Sequence, residues 1–494
     1  MASPAPARPS TTSFTPFTAA SPGAGDPSGV ERGGGRGRAI AAALTIIGVT
    51  LALLLPALFN GYPILFSDTA DYLLRSQTLL PSPIRAPGYA LWIRLTSGGA
   101  TLWLPVVAQS LFLAALIWRT LRLFGRPTAR QTLGAALALT IGSSAGWVSS
   151  KAMPDLFVAM VILGLYLAAA HWERLGIGGR ALAAGAVLVG GTMHLTNILV
   201  GGAALVALLA LEKGGDRGRP IRRAWVRAAL LLLVSAALTR GFEYARRDSA
   251  QSGWNGSMFV LSHLVETGLA QRLLEDRCSV EQFALCPVRD TLTRPVDLFV
   301  WRPKESPRYL VLHDDPALIR EETNHILGGI VRHYPLALAG SIAAYTGRQL
   351  VAFRVNDEIW RHRHRTEVQR VIIDMYPGDL PAQERARQQE NTLRLPWTSM
   401  LHLIVFLAAA ASSIIMLRRA MVSRTISLAE STGFHVVVWV TLIANAAICA
   451  NLAAVFSRYQ SRVSWLLPLA VLATLFERGM LRSSFSSLLG ASRA

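Results

Sequence analysis

Charge is scarce in this chain. Only 16% of its 494 residues are Asp, Glu, Lys or Arg, where a soluble domain carries about 25%. Lysine is nearly missing and occurs only at Lys151, Lys213 and Lys304. Cysteine occurs three times, which excludes a disulfide-rich scaffold, and no His/Cys spacing completes a zinc site. The charge that is present is one-sided, 49 basic residues against 30 acidic and a net +19. No basic stripe interleaved with aromatics accompanies it, so nucleic acid is not an expected partner. The arginines fall instead in loops beside apolar runs, where they orient a membrane protein and meet anionic headgroups.

What the chain has in abundance is apolar sequence: 52% hydrophobic residues and a mean hydropathy of +0.37. Runs long enough to cross a hydrocarbon core of about 30 Å recur along it. They are expected at 39–59, 101–118, 131–148, 155–171, 180–194, 196–211, 226–242, 397–417, 433–456 and 463–480. This reading is an all-α polytopic membrane protein of about ten spans with an α-rich external domain. Residues 1–38 are rich in Ala, Pro, Ser, Thr and Gly and are expected to be a disordered cytoplasmic tail. The run that follows exceeds a signal-peptide core and lacks a small-residue cleavage site, so it reads as an uncleaved first span.

Arginines set the orientation. Clusters at Arg32, Arg36 and Arg38, at Arg119, Arg122, Arg126 and Arg130, at 213–227, and at Arg418, Arg419 and Arg424 all fall on one side if there are ten spans. That side is the cytoplasm, with both termini inside. Residues 39–242 then form an N-terminal transmembrane module with external loop 60–100. Region 243–396 is external, 397–482 holds the C-terminal spans, and 483–494 is a cytoplasmic tail. Counting 335–353 as a span would put the last arginine cluster outside, so that segment reads as an interfacial or packed helix. Cys278 and Cys286 lie in the external region, where an oxidising compartment favours a disulfide. Cys449 lies in an apolar run and reads as a small core residue.

Chemistry concentrates in the external loops. The first contains Ser67-Asp68-Thr69-Ala70-Asp71-Tyr72 just after an apolar run. A carboxylate at that depth can take a proton from a hydroxyl or bind a metal. Asp68 and Asp71 are three apart and share a helix face. The plain alternative is an N-cap. The loop continues with Arg85-Ala-Pro87-Gly88-Tyr89, where Arg85 suits a phosphate or snorkels to the interface beside an aromatic belt of Tyr89 and Trp92. Asp155 follows Pro154 at a helix start, an ordinary capping position. His194 interrupts an apolar stretch, either as a functional polar group or as a satisfied structural histidine. Arg458 and Tyr459 stand before the last run, with Arg462 four residues on. These arginines neutralise a phosphate or anchor at the interface.

The order of these features resembles the GT-C superfamily of polytopic glycosyltransferases, which includes protein O-mannosyltransferases and lipid A aminoarabinose transferases. The resemblance spans most of 40–211 and the last two runs, and leaves 243–396 unplaced. In that family an acidic motif in the first external loop corresponds here to Asp68, and a second acidic position corresponds to Asp155. The resemblance implies a GT-C-like fold in a bacterial inner membrane and a sugar moved from a polyprenyl-phosphate donor to a lipid, glycan or protein acceptor. It implies Asp68 and Asp155 as catalytic residues, with Asp68 the general base. Asp71, Tyr72, Arg85, Tyr89, His194, Arg458 and Tyr459 would bind substrate. A divalent cation is left open as cofactor, with Asp68 and Asp155 its ligands if one binds. The rivals are a transporter or flippase, which needs ionisable groups inside its spans and repeat symmetry, and a non-catalytic partner in cell-envelope glycan assembly.

Overall fold

A computed structural model describes residues 31–80, 85–213, 221–245, 256–292, 295–302, 306–357, 359–363 and 366–480. Residues 1–30 of the expected tail 1–38, the expected tail 483–494, the centre of the arginine-rich loop at 214–220, and Pro83 beside Arg85 lie outside them. Among the described residues the secondary structure is helical, and the sole β-type pairing is an isolated parallel bridge between Ile64 and Lys151.

Among the described residues five helices are long and apolar enough to cross a membrane: Arg36–Leu53 within α1 (Glu31–Leu53), Trp103–Phe124, Ala224–Phe242, Pro396–Val422 and Ser431–Leu452. Glu31–Arg38, grouped by composition with a disordered tail, form the first turns of α1. The apolar run 39–59 breaks at Leu54 because Pro56 has no N–H to continue the ladder, and α2 (Leu55–Asn60) follows. Gly61 closes α2 with a φ of +83°, the left-handed region that glycine enters at least cost.

The other five runs read as spans are shorter or interrupted. Run 131–148 divides at Ser143, whose backbone is extended, into Ala129–Gly142 and Ala145–Ser149. Run 180–211 is two helices, Ile177–Met193 and Leu195–Lys213, parted by an extended His194. The final run, 463–480, starts at the end of helix Ser457–Ser464 and continues as Leu466–Glu477. Helix Leu156–Ala170 is about 22 Å long at 1.5 Å per residue. It is apolar all round, and Leu156 to Ala168 are buried, as such a helix must be. The flanking helices 103–124, 177–193, 195–213 and 457–464 pack against it.

The 243–396 region does not have a single core. Helices Gly256–Glu266, Leu269–Arg277 and Pro316–His333 enclose Leu261, Leu273, Phe299 and Ile326, and Cys278 and Cys286 are joined by a disulfide beside them. Pro335–Val351 turns 108° from the preceding helix and packs along Ser431–Leu452. Residues 355–393 belong elsewhere. Val355, Ile359 and Leu393 pack with Ile64 and Trp147, and Val368, Ile372 and Tyr376 join the main core.

Candidate functional site

The first two loops are tied together before any charged group is placed. Ile64 donates its N–H to the Ser150 carbonyl at 3.0 Å and accepts from Ala152 N–H at 2.9 Å. Gln388 secures the same strand of chain through Leu65, and Asp379 accepts from the Tyr62 hydroxyl at 2.7 Å. Thr69 reaches the Ala152 carbonyl at 3.2 Å. Asp68 is thus held at one end of helix Thr69–Thr78, beside the start of the second loop.

Asp68 occupies the N-cap position of that helix, yet its side chain caps nothing. One carboxylate oxygen meets Arg85 Nη2 at 2.8 Å and the other meets Arg458 Nη1 at 2.7 Å. Asp155, at the N-cap position of Leu156–Ala170, makes no capping bond either. Capping therefore accounts for neither aspartate. Burial raises the energy of the Asp68 carboxylate, but the guanidiniums of Arg458 and Arg85 outweigh it and hold the carboxyl well below the usual carboxylate range.

Arg85 is a fork between two carboxylates. Its Nε lies 2.8 Å from Asp71, whose other oxygen meets Arg75 at 2.9 Å, one helical turn on. The Arg85 guanidinium stands over the Tyr72 ring at 5.0 Å, and Tyr72 packs edge-on against Tyr89 at 5.2 Å. Burial pushes the Tyr72 phenol up to about 12, so it stays protonated. Arg458 lies over Phe66 at 4.7 Å and over Tyr459 at 5.0 Å. Lys151 Nζ approaches the same Phe66 ring at 5.8 Å. Gly88 explains the Pro-Gly step after Arg85. A Cβ there would stand 2.4 Å from the Thr192 carbonyl oxygen, so glycine alone lets the first loop abut the chain entering the His194 break.

A second cluster lies deeper. Arg462 is only 1% exposed, and a buried guanidinium must be satisfied. Its Nη2 donates to Asn445 Oδ1 at 2.8 Å and to Thr196 Oγ1 at 3.1 Å, and its Nη1 lies 3.8 Å from Asp155. Thr196 in turn donates its backbone N–H to His194 Nδ1 at 3.2 Å, so that ring nitrogen is an acceptor and carries no proton.

Asp68, Asp71, Tyr72, Arg85, Tyr89, Arg458 and Tyr459 are thereby joined in one connected group. Asp155 and His194 are joined in another, which meets the first through helix Ser457–Ser464. Asn445 and Thr196 were not singled out by sequence, whereas Arg462 was read with Arg458 as a phosphate-neutralising or interfacial arginine and is only 1% exposed. The four-residue spacing sets Arg458 and Arg462 about one turn apart on Ser457–Ser464, and their side chains reach different partners. The donor set does not suit a divalent cation. Among the described residues no three His, Cys, Asp or Glu side chains come together, and the nearest partners of Asp68 are cations.

The class this defines is a helical protein with several helices long and apolar enough to cross a membrane and an acid–arginine cluster assembled where its first loops meet its last helices. Comparison with family models, curated proteins and solved structures finds no match.

Proposed function

We propose that the chain is a multi-pass glycosyltransferase of the GT-C type, moving a sugar from a polyprenyl-phosphate donor to an acceptor hydroxyl. The reading includes about ten crossings, five by long helices and the rest by the short apolar ones, with both termini cytoplasmic and the site on the external face of a bacterial inner membrane. The Cys278–Cys286 disulfide supports an oxidising environment for its region.

The observation that carries the reading is Asp68 seated between Arg85 and Arg458. The three side chains bring a base and phosphate-binding cations within bonding distance of each other, close to the end of an apolar helix. In the reaction Asp68 takes the acceptor's hydroxyl proton and the freed oxygen attacks the anomeric carbon. The bond from that carbon to the phosphate oxygen breaks with inversion. Arg85 and Arg458 stabilise the lipid phosphate as it leaves. Asp155 and His194 are joined behind this cluster through Arg462 and Thr196.

The test is sugar transfer by purified protein in lipid nanodiscs with lipid-linked sugar donors. Asp68→Asn and Asp68→Ala are expected to lose about 100-fold or more, the scale of a lost general base. Full activity in both variants would sink the proposal.

A further inference from the structure

A base held between two cations is a poor base, and this is the state in which the site rests. We propose that an incoming phosphoryl anion takes Arg85 and Arg458 from Asp68, and that Asp68 becomes free to accept a proton only after this exchange. The inference rests on the glycosyltransferase reading of the same site and adds an order to it: the lipid phosphate binds first and the acceptor is activated second.

Two features favour exchange over a permanent lock. The arginines are held by contacts that do not involve Asp68. Arg458 lies against Phe66 and Tyr459, and Arg85 against Tyr72, so both guanidiniums keep their places when the carboxylate turns away. The cluster also keeps contact with solvent, with the side chains of Asp68, Arg85 and Arg458 14–17% exposed.

The pairing pattern selects which aspartate is released. Asp71 shares Arg85 but has Arg75 at 2.9 Å, so it keeps a counter-charge when Arg85 turns to a phosphate. Asp68 is paired to Arg85 and Arg458, and the exchange takes both. Its carboxylate then returns toward ordinary basicity beside the bound anion, while Asp71 does not. Asp68 and the phosphate compete for the same two cations, so the carboxylate weakens donor binding as the cost of staying silent until a donor arrives.

This competition gives a sign that ordinary phosphate binding does not. The probe is a long-chain polyprenyl phosphate, titrated into full-length protein in neutral phosphatidylcholine nanodiscs. Inorganic phosphate serves as competitor and the uncharged polyprenol as control. Asp68→Asn is expected to bind the lipid phosphate about 10-fold more tightly than wild type. Arg85→Gln and Arg458→Gln are each expected to bind it about 10-fold more weakly, with polyprenol affinity the same in all. Inorganic phosphate is expected to displace the lipid phosphate from wild type and more effectively from Asp68→Asn. Asp71→Asn is the companion variant should Asp68→Asn fold poorly. It relieves Arg85 alone and should tighten binding by a smaller factor. Unchanged or weaker binding in the aspartate variants overturns the exchange, even if the arginine variants lose affinity and wild type transfers sugar. Tighter binding in Asp68→Asn together with no transfer by wild type from any lipid-linked donor would leave the exchange standing and remove the glycosyltransferase reading.

Discussion

Helix Ser457–Ser464 carries two arginines four residues apart that meet opposite fates. Arg458 reaches outward, keeps 15% of its side chain exposed, and forms a 2.7 Å pair with a carboxylate. Arg462 faces inward, is 1% exposed, and relies on the neutral Asn445 and Thr196, with Asp155 at a longer 3.8 Å. The difference separates an exchangeable charge from a structural one. Water or a ligand can replace the partner of the first, whereas nothing in the core can replace the partners of the second.

The largest expected effect tests that contrast directly. Arg462→Met strands Asp155 and the Asn445 carbonyl, and breaking a buried pair costs about 3–5 kcal/mol. A marked fall in melting temperature in detergent should follow. Arg458→Gln should lower the melting temperature less, because Asp68 keeps Arg85 as a partner, while still losing lipid-phosphate affinity. Equal melting temperatures for the two variants would erase the distinction.

Gly88→Ala is expected to have an intermediate effect. Its Cβ meets a backbone carbonyl at 2.4 Å, which cannot rotate away, so the loop carrying Arg85 must shift. Overpacking of this kind costs about 1–3 kcal/mol. The variant should lose sugar transfer more than it loses stability, and unchanged transfer would show that the loop tolerates the displacement.

The smallest effect is one of pH. Asp68 resists protonation because Arg458 and Arg85 outweigh its burial. A carboxyl whose folded value is depressed adds stability above its unfolded pKa, about 3.9, and loses it only as pH falls through the folded value. Its contribution should therefore be constant from pH 7 down to about 4. Infrared difference spectra of wild type against Asp68→Asn should retain the carboxylate band at that pH. In the Arg85→Gln/Arg458→Gln double variant, protonation should already be advanced there. A wild-type band lost at the same pH as in the double variant would show that the clamp does not hold the charge.

Much of the frame was legible from local sequence. Hydropathy is a property of neighbouring residues, so the five long helices stand where apolar runs predict them, and the break at His194 coincides with its interruption of an apolar stretch. Short helices such as Leu156–Ala170 carry the same hydropathy as spans, and only packing reveals that one of them is central and enclosed on all sides. The two-part division of 243–396 was equally invisible, because Val355 and Leu393 find their apolar partners in Ile64 and Trp147, far away along the chain.

The candidate site divides in the same way. Sequence alone placed Asp68 just beyond an apolar run, placed Asp71 on the same face, and nominated Arg85 and Arg458. It also made a helix cap the ordinary role for Asp68 and Asp155, because capping is a local rule. Tertiary structure decided against capping by bringing Arg458 to Asp68 across 390 positions of chain, and by placing Arg462 where Asp155 must help satisfy it. A charge near an apolar core is governed by whichever opposite charge the fold delivers, and that delivery is not written in its neighbours.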